Sequence, residues 1–147
     1  MADSNPELLI FEHNDSQGVS SQRLLERGRA ALPLCLAQST EDGGGLSKLR
    51  EIEVNLVTDE LIAKIHDEFM DDPSPTDVIT FHHGEIFISL DTAKREGVKF
   101  GHSTEQEVLL YLIHGLLHLN GHDDKTPAER EVMKEIQEKI LADVWEE

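Results

Sequence analysis

Two histidines four residues apart inside a strongly apolar stretch constrain this chain more than any other feature. Between Val108 and Leu119 the sequence runs Val-Leu-Leu-Tyr-Leu-Ile-His-Gly-Leu-Leu-His-Leu, with the imidazoles at His114 and His118. Residues i and i+4 of a helix lie one turn apart on one face, so both rings leave it on the same side. A helix this apolar must be buried by other elements, and two polar rings on it are costly unless something satisfies them. Paired imidazoles can take adjacent corners of one divalent ion, with Zn–N near ~2.0–2.1 Å.

The third ligand has to come from beyond the helix. His122 continues the series, but at ~1.5 Å rise per residue it would stand about 12 Å above His114 on an unbroken helix. Gly121 supplies a stop, after which the chain can fold back across the histidine face. The H-x-x-x-H-x-x-G-x-x-ligand spacing of metzincin-type zinc sites puts the third ligand six residues after the second histidine, at Asp124. His114, His118 and Asp124 are therefore the expected metal ligands and catalytic centre. His122 and Asp123 are read as neighbours that contact water or relay a proton, or as plain loop residues. Metallopeptidases place Glu directly after the first histidine as general base. Gly115 stands there in this chain, which demotes peptide hydrolysis.

Around this helix the pattern alternates strands and helices. Glu7 to Glu12 reads as a strand. A helix capped by Ser20 or Ser21 runs toward Leu34, with Pro33 blurring its end. Gln38 to Ser47, with three successive glycines, reads as a surface loop. Ile52, Val54 and Leu56 alternate as a half-covered strand. Thr58-Asp59-Glu60 opens a helix to about Met70. Pro73 and Pro75 make the next segment non-helical. Val78–Phe81 and Glu85–Ser89 form a hairpin around His82-His83-Gly84. Asp91 to Glu96 is a helical turn stopped by Gly97. Ser103 and Gln106 form a capping-box pattern ahead of the histidine helix. Thr126-Pro127 starts a last helix whose apolar stripe is Val132, Met133, Ile136, Ile140 and Val144. This order predicts an α+β fold: a single domain over 1–147, with a small mixed sheet of about four strands, about five helices, and a metalloprotease-like core helix bearing the two histidines.

Composition narrows the partners. Thirteen basic against 30 acidic residues leave a formal net charge of −17, which excludes a polybasic nucleic-acid arm or an electrostatic membrane anchor. The chain has 147 residues and one cysteine, Cys35, which suits one domain without an internal disulfide. Its longest apolar run, Val108–Ile113, is far short of the ~20 residues that span a bilayer. With no basic region before Arg23, a cytoplasmic location is expected. Two basic clusters, Arg23/Arg27/Arg29 and Lys94/Arg95/Lys99, are read as solvated helix faces ahead of groove linings. His66, His82 and His83 are taken as structural or exposed, Asp77 as a turn cap ahead of a ligand-orienting role, and Phe81 and Phe87 as core.

His114-Gly-Leu-Leu-His118-Leu-Asn-Gly121-His-Asp-Asp124 resembles the H-G-x-L-H-L-x-G-[YF]-D-H signature of the bacterial YbeY-type endoribonucleases, which are rRNA maturation factors. Pro75-Thr-Asp-Val-Ile-Thr-Phe81 is similar to their P-T-D-V-L-S-F block, and Gly84-Glu-Ile-Phe-Ile-Ser89 to G-D-I-x-I-S, in the same order and spacing. The resemblance covers about residues 50 to 124. It implies a zinc-bearing, single-strand-directed endoribonuclease of late small-subunit rRNA processing and ribosome quality control. RNA is the implied substrate, with the small subunit or an associated protein as partner, and neither DNA nor membrane. Three positions depart from the family pattern: Asp124 replaces its last histidine, His122 its aromatic residue, and Met70 aligns with an arginine it often carries. A carboxylate in place of one imidazole makes Mn²⁺ or Mg²⁺ more competitive with Zn²⁺. Two alternatives stay open: a non-catalytic, metal-stabilised ribosome-assembly module, and a zinc peptidase-like hydrolase.

Overall fold

A computed structural model describes residues 5–13, 17–38 and 45–145. The elements, in chain order, are β1 (Glu7–Glu12), α1 (Ser21–Leu36), β2 (Glu51–Val57), α2 (Asp59–Met70), β3 (Val78–Phe81), β4 (Glu85–Ser89), α3 (Leu90–Phe100), α4 (Thr104–Leu119) and α5 (Pro127–Val144). The strands form one mixed sheet in the order β1-β2-β4-β3. β1 and β4 flank β2 in parallel, and β3 returns antiparallel along β4 as a free edge. The expected α+β architecture is present, with four strands and five α-helices among the described residues.

The alternating pattern of β2 and β4 decides what lies on each side. Ile52, Val54, Leu56, Ile86 and Ile88 face a large core shared with α1, α4 and α5. The opposite face is smaller, with Val57, Ile62 and Ile79 buried alongside Leu61, Ile65, Phe81 and Phe87. The sheet is thus sandwiched, with α2 alone on its thin side. On the thick side α4 lies innermost, buried at Val108, Leu109, Leu112, Ile113, Leu116 and Leu117. Gly115 is the point of closest approach, since an added Cβ would meet Ile86 Cδ1 and Thr80 Oγ1, both at 3.0 Å.

Three local expectations are corrected. α1 continues through Pro33 to Leu36. The carbonyl that Pro33 cannot pair with belongs to exposed Arg29, while buried Leu32 and Cys35 carry the packing onward. Gly97 does not stop α3, which runs on to Phe100 and ends at Gly101 with φ 77°. Gly97 is instead a contact position, where a Cβ would lie 2.7 Å from the His102 carbonyl oxygen. On α5 the buried residues are Met133, Ile140 and Leu141, whereas Val132 is 50% exposed and off the packing stripe. Most of the expected glycine loop, residues 39–44, lies outside the described residues. Its end forms a short 3-10 turn at Leu46–Lys48.

Candidate metal centre

The ends of α4 and α5 fix the site. Ser103 caps α4 through a reciprocal pair with Gln106, at 3.1 and 2.8 Å. At the other end Gly121 takes φ 99°. Its N–H reaches the His118 carbonyl at 3.0 Å, and that of His122 reaches Leu117 at 3.0 Å. This left-handed turn reverses the chain. Asn120 ties the turn to the end of α1 through the Cys35 carbonyl, 2.9 Å away. Five residues on, Thr126 and Glu129 form a second capping box at 3.0 and 3.1 Å. Arg130 Nη1 donates to the carbonyl of Asp124 at 3.3 Å. Asp124 is therefore held between two helix ends whose capping chemistry is written in the sequence.

This arrangement brings the expected residues together. His114 Nε2 and His118 Nε2 are 3.1 Å apart, and each lies 3.5 Å from Asp124 Oδ2. Two ligands at ~2.0–2.1 Å from a tetrahedral ion are separated by about 3.3 Å, so the three spacings fit one ion. His114 Nδ1 lies 2.9 Å from Gln137 Oε1, an atom that only accepts, so Nδ1 is the donor there and Nε2 is the nitrogen turned toward the other two residues. A ring nitrogen facing a second imidazole and a carboxylate is a donor set suited to a cation. Burial, with help from neighbouring His114, pushes the His118 pKa below its ordinary value, which favours the neutral ring that metals bind.

The trio opens onto a cleft of about 450 Å³ that also touches His66, Met70, Asp77, Thr80, His82, Asp123 and Lys125. Asp123 is present there, but His122 turns away, its Nε2 hydrogen-bonded to the Gln38 carbonyl. Asp77 Oδ1 accepts the Val78 N–H at 2.7 Å, the capping role expected for it. His66 is bonded to the Ser74 carbonyl at 2.8 Å. His83 is drawn off to Glu85 at 2.9 Å, while His82 reaches the cleft wall. The basic clusters are engaged elsewhere. Arg23 and Arg27 hold Glu105, and Arg95 holds Asp59. Lys125 is the one lysine or arginine among the described lining residues.

Sequence reasoning missed Gln137 and a second carboxylate–imidazole contact, half-buried His102 Nδ1 with buried Glu107 Oε2 at 2.6 Å. Gln137 gives no signal, because it meets His114 only through the crossing of α4 and α5. The pair does give one. His102 precedes the cap and Glu107 follows it by four, the positions at which a hydrophobic staple usually packs.

Residues 11–144 match the family described as Endoribonuclease YbeY. The chain belongs to the YbeY endoribonuclease family. Its curated YbeY relatives include the endoribonuclease of Streptococcus uberis, 29% identical over 90% of this chain and 95% of that protein. The endoribonuclease of Bacteroides thetaiotaomicron is 38% identical over 65% and 74% of the two chains. The solution structure of TM1509 from Thermotoga maritima is similar over 94% of this chain and 89% of its own, at a TM-score of 0.61 and 26% identity. YbeY membership makes the chain a hydrolytic nuclease. It also agrees with Gly115, which stands where metallopeptidases carry their carboxylate base and where a Cβ would press on Ile86 and Thr80 at 3.0 Å. Among the described residues no helix is long and apolar enough to cross a membrane.

Proposed function

We propose that this YbeY-family chain is a single-strand-specific, metal-dependent endoribonuclease that works in the cytoplasm on small-subunit rRNA, in late maturation and ribosome quality control. His114, His118 and Asp124 would hold the ion, for which zinc suits the two imidazoles and Mn²⁺ or Mg²⁺ would compete through the carboxylate. The observation that carries this reading is the 3.1, 3.5 and 3.5 Å spacing of the three donor atoms. When bound, such an ion polarises a phosphoryl oxygen and makes an attacking water easier to deprotonate.

The chain's own residues do the rest. Gln137 orients His114 through Nδ1, and a partner of that kind is typically worth 10–100-fold in metal affinity or activity. Lys125 is the cleft's fixed cation for a phosphate. Asp123 and Asp77 are the lining carboxylates outside the trio and are placed to take a proton. With a formal charge of −17, little affinity for RNA comes from general electrostatics. A protein partner on the small subunit would supply what the surface charge does not, and cleavage of naked RNA should be slow.

The test pairs metal analysis of the purified chain with cleavage of labelled single-stranded RNA by it and by His114→Ala. One ion per chain is expected, with cleavage lost in the variant and single strands cut in preference to duplex. A protein without metal, or a variant that cuts RNA as well as the parent, overturns the reading.

A further inference from the structure

α4 carries a polar line along one face. Glu107, Tyr111, His114 and His118 follow one another at spacings of four, three and four, which keeps them on one side of the helix. The C-terminal half of that line belongs to the metal centre. The N-terminal half borders a separate cleft of about 530 Å³, where Phe100, His102, Tyr111 and Gln137 stand beside Lys134 and four carboxylates, Asp77, Glu96, Glu107 and Glu138. The two clefts meet, because His114 and Asp77 line both. His114 is the partition, with Nε2 facing the trio and Nδ1 facing Gln137.

Distance decides what the second cleft can do. Seven residues separate Glu107 from His114, or about 10.5 Å along the helix axis. That is too far for the His102–Glu107 pair to exchange a proton with a phosphodiester held at the trio. It is the right place for the nucleotide next door. The walls suit the base of such a nucleotide better than its phosphate, since four carboxylates line them against one lysine. Phe100, at the end of α3, is 64% exposed and offers a flat apolar surface for a base. His102 has Nδ1 committed to Glu107 at 2.6 Å, so Nε2 is its remaining hydrogen-bonding atom. Lys134 is the one lysine or arginine among the described lining residues, so contact with a backbone phosphate falls to it alone.

Resting on the RNA-cleaving reading, we propose that this second cleft is a subsite for the nucleotide adjacent to the reacting phosphodiester, with Phe100 as the surface on which its base stacks. Stacking tolerates any base, since each has a π-face. Such a subsite would also explain how an acidic nuclease gains affinity for single strands: a duplex keeps its bases stacked on one another and offers none to Phe100.

The experiment uses the metal-loaded chain and short fluorescent single-stranded RNAs in which one residue at a time is abasic. Binding is read by anisotropy, and cleavage is mapped in parallel. In the parent protein one abasic position should weaken binding roughly tenfold. Phe100→Ala should weaken binding of the intact strand by a similar factor and erase the penalty at that position. Lys134→Ala should keep the penalty and flatten the salt dependence. Phe100 is exposed, so its variant should melt as the parent does. If no position stands out, or its penalty survives Phe100→Ala, the subsite is refuted even where RNA is cleaved. If the penalty behaves as expected but no RNA is cut, base stacking on Phe100 stands, while the nuclease reading and with it the place beside a reacting phosphodiester fall. If neither base-dependent binding nor cleavage is seen, both fall.

Discussion

At the N-terminal end of α4 a carboxylate and an imidazole meet at 2.6 Å; at the C-terminal end a carboxylate stands 3.5 Å from each of two imidazoles. The residue types are the same and so is the helix. The first pair is closed. Glu107 has a side chain only 4% exposed and is satisfied by His102, so the protein itself meets the cost of burying it. The second set is left open, with Asp124 Oδ2 no nearer than 3.5 Å to either ring and its side chain 40% exposed to the cleft. Histidines and acids together on a helix therefore do not define a metal centre. What marks one here is a set of three donor atoms from two chain segments converging at 3.1 to 3.5 Å, the spacing that ligands of one ion take.

The strongest way to break this contrast is to remove one member from each end. His118→Ala should abolish stoichiometric metal, lower RNA cleavage by at least about 100-fold, and remove any shift of Tm on adding chelator, because ion binding stabilises only the state that holds the ion. Glu107→Gln should do something smaller and different. The carboxylate–imidazole bond is replaced by a weaker neutral one inside the protein, which costs about 1–3 kcal/mol of stability while metal content stays at the parent level. Element analysis and denaturant melts on the two variants read both effects. Loss of metal from Glu107→Gln, or its retention in His118→Ala, would erase the distinction between a closed and an open cluster.

The same contrast explains which parts of the molecule could be read in the sequence. Local chemistry was legible: Ser103 with Gln106, Thr126 with Pro127 and Glu129, and Gly121 announce helix ends, and the ends alone carry Asp124 back to His114 and His118. The alternation of Ile52, Val54 and Leu56 announced which strand face meets the core. What escaped depends on contacts between elements. Gly97 resembles a helix stop, but its role is to let α3 approach the His102 carbonyl. Val132 fits the apolar stripe of α5, yet the angle at which that helix crosses α4 leaves it in water. Gln137 is chosen by the same crossing, and nothing in the residues around it distinguishes it from an ordinary surface amide. Arg23, Arg27 and Arg95 look like a basic surface until their partners Glu105 and Asp59 are seen.

A second carboxylate on α4 sharpens the comparison by the smallest effect. Glu105 lies in the first turn and is held by Arg23 Nε at 3.1 Å and by the Ser20 N–H at 3.1 Å. The Arg23 hydrogen bond, above all, keeps its pKa below the ordinary value of 4.5. A carboxylate whose pKa is lower folded than unfolded adds stability above the unfolded value, and loses it as pH falls through the folded one. The parent protein should therefore shed a few degrees of Tm between about pH 5 and pH 3 that Glu105→Gln does not shed. The effect is modest because the Arg23 side chain is 55% exposed and water screens the pair. Taking the difference between the two proteins cancels every other group that titrates in that range, the metal ligands included. A difference that grows with falling pH marks Glu105 as closed in the manner of Glu107. A pH-independent offset would show that the ion pair contributes no proton-linked stability, and that only the Glu107 pair deserves to be set against the metal centre.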